Sequence, residues 1–154
     1  MLLTDLISPD RVAVPLTARD KPGIIRELAT LLVDRVGGDV EDVVTAVRER
    51  EAVLSTGIGH GVAIPHGRTP TVPDLAIVCG STAEPIPFEA IDGEPVRIFF
   101  MLVGPERSAG QHVKALGRIA RLVRGEELRA RLFAARTPGE FYAALVSAEG
   151  APST

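Results

Sequence analysis

The chain reads as an α/β protein, a mixed β-sheet flanked by helices on both sides. Two observations predict this. Helical periodicity fills the stretches before Leu54 and after Ser108, and short apolar runs bounded by turn residues fill the middle. At 154 residues, with 45% apolar and 24% charged side chains, the chain has ordinary globular chemistry and enough length for one core.

Leu2 to Leu6 reads as a short helical turn, and Arg11 to Leu16 alternates like an edge strand. Asp20-Lys21-Pro22 opens a helix, with an acid to cap and a proline tolerated in the first turn. Ile24, Ile25, Leu28, Leu31 and Leu32 follow at helical spacing until Gly37-Gly38 stops them. Asp39 caps a second helix, whose Val40, Val43, Val44 and Val47 share a face as far as about Glu51. Its β-branched residues lower intrinsic helix propensity, so packing has to hold it.

From Leu54 to Thr71 periodicity disappears, leaving only Val62 to Ile64 as a short strand. Irregular stretches of this length in a compact domain are either functional or disordered. The apolar Ile58, Val62, Ala63 and Ile64 point to packing. Leu75 to Cys79 reads as a buried strand, and Ile86–Ile91 and Val96–Val103 flank Asp92-Gly93 as a hairpin. A long helix begins near Ser108, with His112, Leu116, Ile119 and Val123 on one stripe. Glu126 to Ala134 forms another. Thr137-Pro138-Gly139-Glu140 is a capping box that opens the last helix. The expected organisation is one domain over residues 1–148 and a disordered tail over 149–154.

Net charge is −3, with acids and bases interspersed, so no concentrated basic footprint recommends a nucleic-acid partner. Val96–Val103 is far short of a bilayer span and contains Arg97, so no membrane insertion is expected. The first residues lack a basic segment and a long apolar stretch, and do not read as a signal peptide. Cys79 is the only cysteine, which excludes a disulfide framework and fits a reducing, cytoplasmic compartment. It lies in an apolar run and reads as a small buried hydrophobe.

The chemistry centres on Thr56-Gly57-Ile58-Gly59-His60-Gly61-Val62-Ala63-Ile64-Pro65-His66-Gly67. A neutral imidazole at His66 is a competent nucleophile near pH 7 and can hold a phosphoryl group reversibly. Phosphoryl transfer needs positioned donors around the equatorial oxygens and little other machinery. Gly57, Gly59 and Gly61 offer open backbone N–H groups, and Ser55 and Thr56 add hydroxyls. The competing reading is a structured turn with an incidental histidine. His112, in the first turn of its helix, is either a core histidine or a donor to a phosphoryl oxygen on His66. Arg50 is a solvated helix-end cation or a phosphate fork, and Arg68 competes for that role.

Arg50-Glu51, then Ser55-Thr56-Gly57-Ile58-Gly59, then Gly61-Val62-Ala63-Ile64-Pro65-His66-Gly67 resembles the signature of the mannitol/fructose type of enzyme IIA. That family belongs to the phosphoenolpyruvate-dependent phosphotransferase system and includes the nitrogen-regulatory enzyme IIA proteins. The resemblance runs from Leu3 to the last helix and implies a mixed sheet flanked by helices. It implies that His66 accepts phosphate from a phosphohistidine on HPr or its nitrogen-branch counterpart, with no cofactor and no metal. His112 and Arg50 then steady the phosphoryl group, and Ser55, Thr56, Gly59, His60 and Gly61 line the phosphate site. The group passes to a cysteine of an enzyme IIB domain, or its presence selects regulated target proteins. A regulatory role is the preferred one. His60 departs from the family's usual asparagine. With His66 and His112 it raises a three-histidine zinc site as an alternative, disfavoured by the glycine and proline context.

Overall fold

In a computed structural model, residues 2–150 are described. The sheet forms around two long apolar strands, β5 (Ala76–Ile86) and β6 (Val96–Gly104), paired antiparallel from Ala76↔Val103 to Ile86↔Val96. β1 (Val12–Leu16) lies parallel to β5 at one edge. On the other side of β6 the chain runs parallel to it twice in succession, as β3 (Val62–Ala63) and β4 (His66–Arg68). β2 (Gly57–Gly59) pairs antiparallel with β3. The sheet is therefore mixed, with strand order β1-β5-β6-β3-β2 and β4 also on β6.

Alternation along β5 and β6 sends apolar side chains to both faces, so each face needs a cover. One face, with Val78, Phe99, Met101 and Val103, packs on α1 (Lys21–Val36) and α2 (Val40–Val53). The other, with Ile77, Cys79, Phe100 and Leu102, packs on α3 (Ala109–Leu122), α4 (Glu126–Ala134) and α5 (Pro138–Gly150). The expected sandwich is the observed one. Asp20 accepts from the Gly23 amide at 2.7 Å and Asp39 from the Asp42 amide at 3.1 Å, so both expected caps form. The α5 cap is shifted. Thr137 accepts from the Glu140 amide at 3.1 Å, while the Glu140 carboxylate reaches back one residue further, to the Arg136 amide.

Three expectations change. Between Leu54 and Thr71 the chain forms three strand pieces rather than one, because β6 supplies partners that periodicity does not reveal. Pro65 has no N–H to donate, yet its carbonyl accepts from Leu102 at 3.1 Å. Second, Ile86–Ile91 is not a hairpin arm. β5 already ends at Ile86, and residues 87–95 form a wide connection in which the Gly93 amide closes a local turn on Ala90. Third, Glu149 and Gly150 belong to α5. The Glu149 carboxylate accepts from the Leu3 and Thr4 amides at 2.7 and 2.9 Å and from Arg118 Nε at 2.6 Å. The rest of the expected tail, 151–154, lies outside the described residues. Among the described residues no helix is long and apolar enough to cross a membrane.

Candidate functional site

β4 carries His66 to the C-terminal end of β6, where His66 pairs with Leu102. The chain leaving β6 turns through Glu106–Ser108 into α3, and its first turn brings His112 back over the same spot. The two imidazoles lie with ring centroids 5.5 Å apart in an edge-on arrangement. Gly67 lets β4 lie this close to α2. A Cβ there would sit 2.9 Å from the Ala46 carbonyl carbon and 3.0 Å from the Val47 nitrogen. Its role is helix packing, and not the open approach to backbone that its place after a histidine suggests.

The tautomer of His66 follows from one bond. Nδ1 lies 2.8 Å from the Ile64 carbonyl oxygen, which can only accept, so Nδ1 carries the proton and Nε2 presents its lone pair. His66 is half-buried. Desolvation chiefly, with Arg50 and Arg68 helping, holds its pKa below the ordinary histidine value, against the Ile64 carbonyl and Glu51, which favour the cation. His112 is only 3% exposed, and burial, His66 and Arg68 push its pKa down to about 4. Its buried Nδ1 has no hydrogen-bond partner among the described residues. Both rings are thus neutral at pH 7, one with an unprotonated Nε2 and the other a neighbour with hydrogen-bonding capacity unspent.

Cations frame the pair. Arg50, at the end of α2, uses one Nη1 bond on the Leu54 carbonyl at 2.9 Å and is near enough to act on His66. Arg68, two residues after His66, reaches Glu106 at 3.3 Å and acts on both histidines. The sequence offered these arginines as competitors, and both lie near enough to act on His66.

The expected phosphate-lining residues divide. Thr56 lies opposite Ile64, its carbonyl accepting from the Ile64 amide, but its hydroxyl and amide are both committed to the Glu51 carboxylate. The Ser55 hydroxyl donates to the Phe88 carbonyl and accepts from the Gly57 amide. Gly59, His60 and Gly61 form the turn between β2 and β3, all with left-handed backbone, which the two glycines adopt without strain. That turn faces Asp92 and Phe133. It lies at the far end of β6 from His66. Val62 pairs with Ile98 and His66 with Leu102, four residues along a strand or about 13 Å, and the turn lies beyond Val62. Gly59, His60 and Gly61 are corrected accordingly, because their pairing places them away from the imidazoles. The three-histidine zinc alternative fails for the same reason, and no group of three metal-competent side chains occurs among the described residues.

Sequence reasoning gave no role to Glu51. Its side chain is 4% exposed, lies 2.9 Å from Lys21 Nζ, and ties down Thr56 beside the site. One signal was present, since Glu51 falls four residues after Val47 on the buried stripe of α2.

Residues 5–148 match the family described as the phosphoenolpyruvate-dependent sugar phosphotransferase system, EIIA 2. A nitrogen regulatory protein of Bradyrhizobium diazoefficiens is 35% identical over 145 residues, 94% of this chain and 95% of its own. Among solved structures, nitrogen regulatory protein IIA-Ntr of Neisseria meningitidis superposes with a TM-score of 0.86 at 30% identity, covering 93% of this chain and 98% of that one. Enzyme IIA mannitol of Escherichia coli, solved in complex with phosphorylated enzyme IIB mannitol, shares the fold with a TM-score of 0.78 at 19% identity, over 92% and 97% of the two chains.

Proposed function

The chain belongs to the EIIA 2 family of the sugar phosphotransferase system, and from that premise we propose that it is a phosphoryl carrier with His66 Nε2 as the acceptor. The observation that carries this is the Nδ1–H bond to the Ile64 carbonyl, which leaves Nε2 unprotonated beside a second neutral imidazole and two arginines.

The donor is a phosphohistidine on a small HPr-type carrier protein. As its P–N bond breaks, the electron pair returns to the donor imidazole, and the new bond forms to the Nε2 lone pair of His66. Attack puts positive charge on the His66 ring, and the Ile64 carbonyl, already accepting from Nδ1–H, steadies it. His112 supplies an imidazole N–H to a phosphoryl oxygen, and Arg50 and Arg68 compensate the incoming negative charge. Transfer onward reverses these steps to an enzyme IIB cysteine. The reaction takes no cofactor and no metal, and it belongs in the cytoplasm, within one domain that takes in the whole of α5.

A second reading shares the site and differs in output. The Bradyrhizobium relative bears the name nitrogen regulatory protein and matches nearly the whole chain, which favours a regulatory module whose phosphorylation state selects the proteins it contacts. Incubation with phosphorylated carrier tests the shared chemistry: acid-labile, base-stable label is expected, absent in His66→Ala. Label undiminished in that variant overturns it. Phosphoryl passage to an enzyme IIB cysteine supports the sugar role, whereas binding partners captured in only one phosphorylation state support the regulatory one.

A further inference from the structure

The end of the sheet remote from His66 holds a cavity of about 340 Å³, between the end of β1, the middle of β5, the start of β6 and the C-terminus of α4. We propose that this cavity is a binding site for a small oxyanion-bearing metabolite, held by Arg97, Arg136 and the Ser81 hydroxyl. The site is separate from the phosphoryl acceptor and does not depend on that function.

Arg97 is fixed before any ligand arrives. Its Nε donates to the Thr82 carbonyl at 3.2 Å and its Nη2 to the Phe133 carbonyl at 3.4 Å, and its guanidinium lies over the Phe133 ring, 5.4 Å from the centroid. Carbonyls and a ring hold a guanidinium in place without neutralising it. Among the described residues neither Arg97 nor Arg136 is paired with a carboxylate, whereas Arg26, Arg35, Arg68, Arg107 and Arg118 all are. No acidic side chain lines the cavity. The carboxylate nearest to Arg136 along the chain, Glu140, is spent on the Arg136 amide. Ser81 is 3% exposed, lines the cavity, and its hydroxyl has no hydrogen-bond partner among the described residues. A part-buried cation without a counter-charge, beside an unspent hydroxyl and a second guanidinium, is the donor set that carboxylates and phosphates recognise. The volume lies at the small end of the range for ligand pockets, which fits a metabolite rather than a peptide.

Titration of ¹⁵N-labelled protein tests this, using inorganic phosphate, glycerol 3-phosphate and malonate in separate arms, each against sodium chloride at matched ionic strength. Saturable shifts of the Ser81–Ala83 and Phe133–Arg136 amides with an oxyanion but not with chloride are expected. The arm with the tightest saturation separates phosphate-bearing from dicarboxylate ligands. Arg97→Gln weakens binding on the order of tenfold or more, as loss of a charge-assisted hydrogen bond does. Because Arg97 also ties two backbone segments together, the exposed Arg136→Gln is the companion variant, with weakening expected at intact fold. No saturable shift with any arm, shifts confined to the neighbourhood of His66, or unchanged affinity in both variants overturns the proposal.

Discussion

Replacing Glu51 by glutamine keeps the side chain's size and removes its charge, which isolates what that charge does. In the folded protein the carboxylate faces Lys21 Nζ at 2.9 Å and accepts from both the amide and the hydroxyl of Thr56. Breaking a buried ion pair by removing one partner costs about 3–5 kcal/mol, because the other charge stays desolvated. Here Lys21 retains 17% side-chain exposure and lies 4.8 Å from the Phe88 ring centroid, so its ammonium recovers part of that cost. A loss of about 2–4 kcal/mol is expected, lowering the urea midpoint by roughly 1–2 M for a slope near 2 kcal/mol/M. Removing the orphaned cation as well, in Lys21→Met/Glu51→Gln, restores at least about 1 kcal/mol, since glutamine still accepts from Thr56 and no charge is left buried. Equilibrium denaturation of the four proteins in the cycle measures this coupling. A single variant within about 0.5 kcal/mol of the parent, the range of an exposed pair, or a double variant as unstable as the sum of its singles, would refute the reasoning. Glu51 also favours the His66 cation, so Glu51→Gln lowers the His66 pKa further, which NMR titration reads directly.

Three other perturbations have defined outcomes. In His112→Ala, loss of one donor to developing charge slows transfer on the order of 10²-fold, and a stopped-flow rate equal to the parent's would demote His112 to packing. His112 also sets an acid limb. Its folded pKa of about 4 lies below the unfolded value near 6.5, so the stability of the neutral form is complete above pH 6.5 and declines as pH falls toward 4. By linkage that is worth up to roughly 3 kcal/mol; the lowered pKa of His66 acts in the same direction, and His112→Gln flattens the limb if unfolding is followed from pH 7 to 4. In Gly67→Ala the added methyl meets α2 backbone at 2.9–3.0 Å, which costs about 1–3 kcal/mol by overpacking and retards transfer through displaced His66; a denaturation midpoint within error of the parent would contradict this.

The helices were legible because each repeats apolar residues at helical spacing, and α1, α2 and α5 also start on a side-chain cap, as Asp20 with Ile24, Leu28 and Leu32 shows. His66 stood out as the candidate acceptor because an imidazole closes the glycine-rich run, although the Gly67 that follows it serves the packing of α2. What escaped the sequence depends on pairing across space. β2 and β4 are too short to show alternation, and only the register against β3 and β6 makes them strands. The glycine-rich run looked like one phosphate nest because its residues are consecutive. Extended chain covers about 3.3 Å per residue, so seven residues carry His60 and His66 to opposite ends of β6. Glu51 was passed over because acids at helix ends are normally solvated, and its partner Lys21 lies at the start of a different helix.

The most direct measurement is the position of the new bond, by heteronuclear NMR of the protein after reaction with phosphorylated carrier, using ¹⁵N-labelled histidine. Phosphorus coupling to Nε2 of His66, with Nδ1 still protonated against the Ile64 carbonyl, is the predicted result. Coupling to Nδ1 of His66, or to either nitrogen of His112 or His60, would contradict the account.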